Sequence, residues 1–206
     1  MRSSQSIRAL MAICLTALFA AQCSLSPSST PQTDPGPFSL AQAPQAREIH
    51  IQRIEEYGIS TRPWINANYA LQRDADQFTG RAELRIQAAT EPYLREATAD
   101  VVIPHDIAEG FLRKLAQIPL QEGDYRPPVF CTDCFRFSMR IELVLETESV
   151  TLFMESSDRI DTQWVATIGG QTYLITANAP MEAVELLKPY LREDEIERLT
   201  QEGESP

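Results

Sequence analysis

The sequence predicts an α+β fold: a mainly antiparallel sheet, made of an N-terminal hairpin and a C-terminal four-stranded meander, with two main helices packed on it. Three observations carry that expectation. Apolar and polar residues alternate from Phe78 to Gln87, and again over six apolar positions from Phe135 to Leu145, and a period of two puts one side of a strand on a core. Ile107, Phe111, Leu112, Leu115 and Ile118 instead recur at the spacing of one helix face. Gly169-Gly170, set between two apolar runs, is a two-residue hairpin signal.

In chain order, Arg2 and Arg8 lead into an uncharged apolar run, Ala9 to Ala21. That is the form of a secretory signal, and the run is shorter than the roughly 20 residues a helix needs to span a bilayer. Ala20-Ala21-Gln22-Cys23 resembles a bacterial lipoprotein lipobox, with Gln22 where that pattern has a small residue. The resemblance implies that Cys23 carries a lipid and becomes the mature N-terminus; ordinary signal-peptidase cleavage nearby, leaving a periplasmic or secreted chain, is the alternative. Residues 24–47 hold prolines at 27, 31, 35, 37 and 44 and little to bury, so a disordered tether is expected there, followed by one domain over residues 48–200 and a frayed tail at 201–206.

Within the domain, Ile49 and Ile51 suggest a short strand that Ile54 interrupts. Tyr69 and Leu71 then lead through a polar turn into the Phe78 to Gln87 strand, giving the hairpin, and Val101 to Ile103 supply a short strand. Asp106 is placed to cap the first helix, with Glu109 completing a capping box, Pro104 just outside and Pro119 as the stop. The Phe135 to Leu145 strand opens the meander. Val150, Leu152 and Met154 continue it, followed by Trp164, Ala166 and Ile168 and by Thr172 to Thr176. The second helix follows Asn178, with Met181, Val184, Leu187 and Leu191 on one side, and Pro189 shortens it at Lys188. Glu193 to Thr200 reads as one more short acidic helix.

Composition narrows the function. With 29 acidic and 18 basic side chains the formal charge is −11, so the surface repels phosphate backbones and no nucleic-acid partner is expected. No G-x-S-x-G, Walker loop, G-x-G-x-x-G or H-E-x-x-H occurs, and no cofactor is expected. Cys131 and Cys134, spaced C-x-x-C, admit three readings. In an exported chain such a pair is expected to form a disulfide, here clamping the start of the central strand. A redox-active pair would open a helix, where the dipole lowers the thiol pKa, and this one runs into a strand. A zinc site would need two further ligands. His50 and His105 are the only histidines, distant in sequence from each other and from the cysteine pair; His105, beside Asp106, is expected as a partly exposed loop residue, with a metal ligand or general base as the alternative. Trp64, Tyr125 and Arg126 are the candidate recognition surface, with loop anchoring as the alternative for the two aromatics.

The expected function is that of a non-enzymatic binding or structural module in the bacterial cell envelope. It would be held at the membrane through a lipid on Cys23, with another envelope protein as partner. The alternatives are an envelope hydrolase using acidic residues on glycan or peptidoglycan, and a thiol-disulfide accessory protein.

Overall fold

The computed structural model describes residues 40–57, 64–75, 77–87, 94–127, 134–157, 160–175 and 178–201. The presequence with Cys23, most of the tether, the polar loop at Glu91-Pro92, Cys131 and the tail beyond Gln201 lie outside them.

Among the described residues one antiparallel sheet of nine strands dominates, in the order β4-β3-β2-β1-β6-β7-β8-β9-β5. The strands are β1 (Glu48–Tyr57), β2 (Trp64–Asp74), β3 (Gln77–Gln87), β4 (Leu94–Pro104), β5 (Gln121–Glu122), β6 (Phe135–Val144), β7 (Ser149–Ser157), β8 (Ile160–Ile168) and β9 (Gln171–Ile175). The helices are small: α1 (His105–Ala116), α2 (Ala179–Val184) and α3 (Glu193–Gln201), with 3-10 turns at Ala43–Gln45 and Lys188–Tyr190.

This overturns the expected α+β arrangement of two main helices on a separate hairpin and meander. The first reason is β1. It runs ten residues through Ile54 and pairs with β2 on one side and β6 on the other, welding the two strand groups into one sheet. The second is β4, which extends eleven residues where only Val101 to Ile103 read as strand. The third is α2, which runs only six residues and gives way to turns at Glu185, short of the Lys188 limit expected from Pro189.

Alternation divides the sheet into two faces. The covered face carries Ile49, Ile51, Tyr69, Leu71, Leu84, Ile86, Ile103, Ile141, Leu152 and Trp164, all buried, and the helices lie against it. α1 packs on β3 and β4 and touches α2 and the N-terminal turn. Leu40, Ala43 and Ala46, from the segment expected as tether, are buried in this same core. Arg73 holds them there: its Nε donates to the Ala46 carbonyl at 2.9 Å and its Nη2 to the Pro44 carbonyl at 2.8 Å, with the guanidinium over the Phe78 ring. Trp164 is 1% exposed, and its indole N–H donates to Asn178 Oδ1 at 3.0 Å. Asn178 thus leads into α2 but spends its side chain on a buried donor, not on a helix cap.

The capping box at α1 does not form. Pro104 occupies the cap position, and Asp106 lies inside the first turn. Glu109 instead accepts from Arg113 at 2.8 Å, one turn on.

Candidate functional site

The open face, over β1 to β4 and β6, carries exposed or half-buried side chains, and its middle holds a trough of about 430 Å³. Register explains its chemistry. One row across the strands reads Glu83, Asn68, Gln52, Arg140 on β3, β2, β1 and β6; the next reads Arg81, Ala70, His50, Glu142. The charges at the row ends are therefore crossed. Acid stands opposite base along each row, and the two rows run in opposite senses. Three strand steps separate the ends of a row, about 14 Å at the usual inter-strand spacing. Between them the floor is amide, imidazole and the bare methyl of Ala70, whose small side chain leaves the depression open.

His50 Nε2 lies 3.1 Å from Glu48 Oε2, and Arg140 lies 3.6 Å from Glu142, all of them partly exposed. Arg81 and Glu83 have no ion pair among the described residues. A second depression shares His50, Ala70 and Arg81 with the first and carries the trough on toward Glu48, Thr79 and Asp100.

A second concavity, of about 190 Å³, lies on the covered face under the C-terminal segment. Ile51, Phe137, Met139, Met181, Val184 and Leu191 line it, with Arg53, Glu185, Lys188 and Glu193 as its charged members. Arg53 faces inward on β1. Its Nε donates to Glu55 Oε1 at 2.7 Å and its Nη1 to Glu193 Oε1, at the first residue of α3, at 2.6 Å. Burial alone would lower the Arg53 pKa, but the two carboxylates outweigh it and hold the group above its ordinary value. Two acids do converge here, but onto a guanidinium between them, which makes an ion clamp and not an acid–base pair. In the trough, Glu83 and Glu142 are three strands and two residues apart, about 16 Å by sheet spacing, beyond the roughly 5–9.5 Å of glycoside-cleaving carboxylates.

Tyr69, 2% exposed, donates to the Leu191 carbonyl at 2.7 Å and so pins the turn before α3. Burial, then the nearby Glu193 charge, pushes its pKa far above the ordinary tyrosine value, against a smaller opposing effect of Arg53. The unfolded chain ionises Tyr69 near pH 10, whereas the folded chain keeps the proton. The stabilisation is therefore complete below pH 10 and falls as pH rises above it, by up to about 1.4 kcal/mol per pH unit for one group. Denaturant unfolding between pH 9 and 11 is expected to show that decline. In Tyr69→Phe the decline should be shallower; an unchanged slope would assign it to other groups.

The residues singled out from the sequence are scattered. Trp64 opens β2 on the open face, half-buried, with its indole N–H 3.4 Å from Glu56 Oε1. Tyr125 is half-buried in the segment after β5, and Arg126 beside it is exposed. Burial, then the charge of Glu155 on β7, raises the Tyr125 pKa, and its hydroxyl is closed off with no hydrogen-bond partner among the described residues. Glu155 and Trp64 both belong to the open face but are three strands apart in the sheet order, so the two aromatics share a face without lying side by side. Gly123 lies against Leu174, which pairs with the buried Val165; by alternation both point away from the main core. The segment from Gly123 to Tyr125 thus closes over the open face at β7 to β9. Cys134 is 6% exposed and its sulfur is engaged, not a free thiol. His105 is half exposed, 3.6 Å from Glu109.

Sequence reasoning missed the trough. Its one available signal was the mixed charge on the polar halves of the two alternating runs, Arg81 with Glu83 and Arg140 with Glu142; what joins them is the register through β1. Among the described residues no group of three metal-ligating side chains occurs, and no helix is long and apolar enough to cross a membrane.

Fold and site together define an open-faced antiparallel-sheet protein with helices on one side and a charge-crossed trough on the other. No family model, curated protein or solved structure matches the chain.

Proposed function

We propose that the protein is an exported, non-enzymatic binding module of the bacterial envelope, tethered through a lipid on Cys23, with the trough as its ligand surface. One observation carries the reading: the crossed charges of Glu83 and Arg140 and of Arg81 and Glu142, about 14 Å apart across an amide floor. A surface of that kind suits an extended polar ligand bearing both an ammonium and a carboxylate, such as a short peptide. Charge-assisted hydrogen bonds supply orientation and affinity there. The engaged sulfur of Cys134 supports a Cys131–Cys134 disulfide over a metal role, and its place just before β6 and not at a helix start favours a structural bond over a redox-active one.

The test is calorimetric titration of the purified chain with a panel of two- to five-residue peptides carrying both charges. At least one is expected to bind, with affinity that weakens as salt is added. Arg81→Ala and Arg140→Ala should each weaken it about tenfold, as the loss of one charged hydrogen bond. Failure of the whole panel, or binding that ignores both substitutions, overturns the reading.

A further inference from the structure

The two ends of the sheet are built differently. β5 closes one with two residues, whereas β4 closes the other with eleven, and among the described residues β4 pairs only with β3. A strand edge is a row of unpaired N–H and C=O groups, which proteins ordinarily guard with lysines, prolines, bulges or short length. β4 has none of these four; its charges are Glu96 and Asp100 on the open face and Arg95 on the covered face, where Arg95 is turned to the Leu199 carbonyl. It contains no lysine, its one proline is the last residue, and its register against β3 is unbroken from Leu94 to Pro104. Among the described residues, the exposed large hydrophobic ones, Leu94 at 46% and Val102 at 50%, both sit on this strand and on the same open face.

The open-face row of β4 reads Leu94, Glu96, Thr98, Asp100, Val102, apolar, acidic, hydroxyl, acidic, apolar, the same classes in both directions about Thr98. We infer that β4 pairs antiparallel with β4 of a second copy of this chain, about a two-fold axis through Thr98. Self-complementarity of one patch is what a two-fold interface requires. In this register Leu94 of each copy meets Val102 of the other, Glu96 meets Asp100, and on the covered face Ala97 meets Ala99. Shifting the axis to Ala97 or Ala99 sets Leu94 against Asp100 or Val102 against Glu96, so only the Thr98 register joins apolar to apolar twice.

The facing acids are the cost, and β3 offsets it. Arg85 lies 3.1 Å from Glu96, and Arg81 stands in register opposite Asp100. The net charge of −11 repels two copies at long range, so association strengthens with salt, the opposite sign to peptide binding in the trough. The two inferences therefore fail separately.

Cysteine scanning tests the register. With the full chain in detergent, Thr98→Cys places two thiols on the axis, where directly opposed Cα atoms lie about 4.5–5.5 Å apart, within disulfide reach. Glu96→Cys places them about 13 Å apart. Mild oxidation is expected to give covalent dimer for Thr98→Cys well above the level shown by Glu96→Cys and by the unsubstituted chain, whose own cysteines set the background. Sedimentation velocity should show salt-promoted dimer that Val102→Lys weakens at least tenfold, with the circular dichroism spectrum unchanged. Equal crosslinking at positions 96 and 98, a monomer at all salts up to about 100 μM, or a monomer whose β4 edge takes up a different peptide strand overturns the inference.

Discussion

Gly80→Ala is expected to destabilise the protein by about 3 kcal/mol or more, at the upper end of what overpacking costs. Gly80 sits in β3 between Leu71 of β2 and Val101 of β4. A Cβ there would lie 1.9 Å from the Ala70 carbonyl oxygen, 2.8 Å from its carbon and 2.9 Å from the Leu71 Cα. All three are backbone atoms of a paired strand, so no side chain can swing aside. β3 cannot retreat without opening its pairing with β4 as well, because it is bonded on both sides. Gly110, in α1, is the control: a Cβ there would meet only Leu186 Cδ1, at 3.7 Å. Gly110→Ala should therefore stabilise the helix by about 0.5–1 kcal/mol through the lower backbone entropy of alanine. Thermal unfolding followed by circular dichroism reads both changes. At about 2–4 °C per kcal/mol for a chain of this size, the first should lower Tm by about 6–12 °C or more and the second raise it slightly. Matching shifts for the two would show that the close approach at Gly80 is relaxed at no cost.

Ala70 also faces the trough floor, so the tight β2–β3 crossing lies beneath the proposed ligand surface. Gly80→Ala should then weaken peptide binding even in molecules that remain folded.

The local elements were largely legible and the sheet that joins them was not. Phe78 to Gln87 and Phe135 to Val144 alternate cleanly because their inward positions carry apolar side chains or glycine throughout, and the Gly169-Gly170 turn follows from both glycines taking positive φ. β1 was misread because its alternation changes chemistry while keeping its period. After Ile49 and Ile51 the inward positions are Arg53 and Glu55, and Ile54 faces the open side. Charge takes those inward positions because α3 brings Glu193 to them, a contact 140 residues away that no local pattern encodes. The first half of β4 was hidden for a related reason: its covered-face residues, Arg95, Ala97 and Ala99, are cationic or small. The crossed charges of the trough were visible in pairs, but only the β2–β1–β6 register sets them in opposed rows.

Arg53→Met is the second large effect, expected to cost about 2–4 kcal/mol. Removing the guanidinium takes from two partly buried carboxylates the cation they both contact, which is the expensive way to break such a cluster. Glu55 is 9% exposed and would lose the Arg53 contact in a site it cannot leave. The side chain of Glu193 is 35% exposed, so water can take over much of its solvation, and Glu193→Gln should cost about 1 kcal/mol or less. The damage should also be local. Arg53 and Tyr69 are the contacts that hold the start of α3 to the sheet, while Arg95 holds its far end through the Leu199 carbonyl at 3.1 Å. Hydrogen exchange in Arg53→Met should accelerate from Leu191 through the first turns of α3 while the amides of β6 and β7 stay protected. Adding Glu55→Gln to Arg53→Met removes the stranded charge and should recover part of the loss, a non-additivity expected of partners in contact. If the double variant is instead as unstable as the sum of the singles, Arg53 stabilises the fold through its aliphatic stem against Met139 and Leu191, and the clamp is packing with incidental charge.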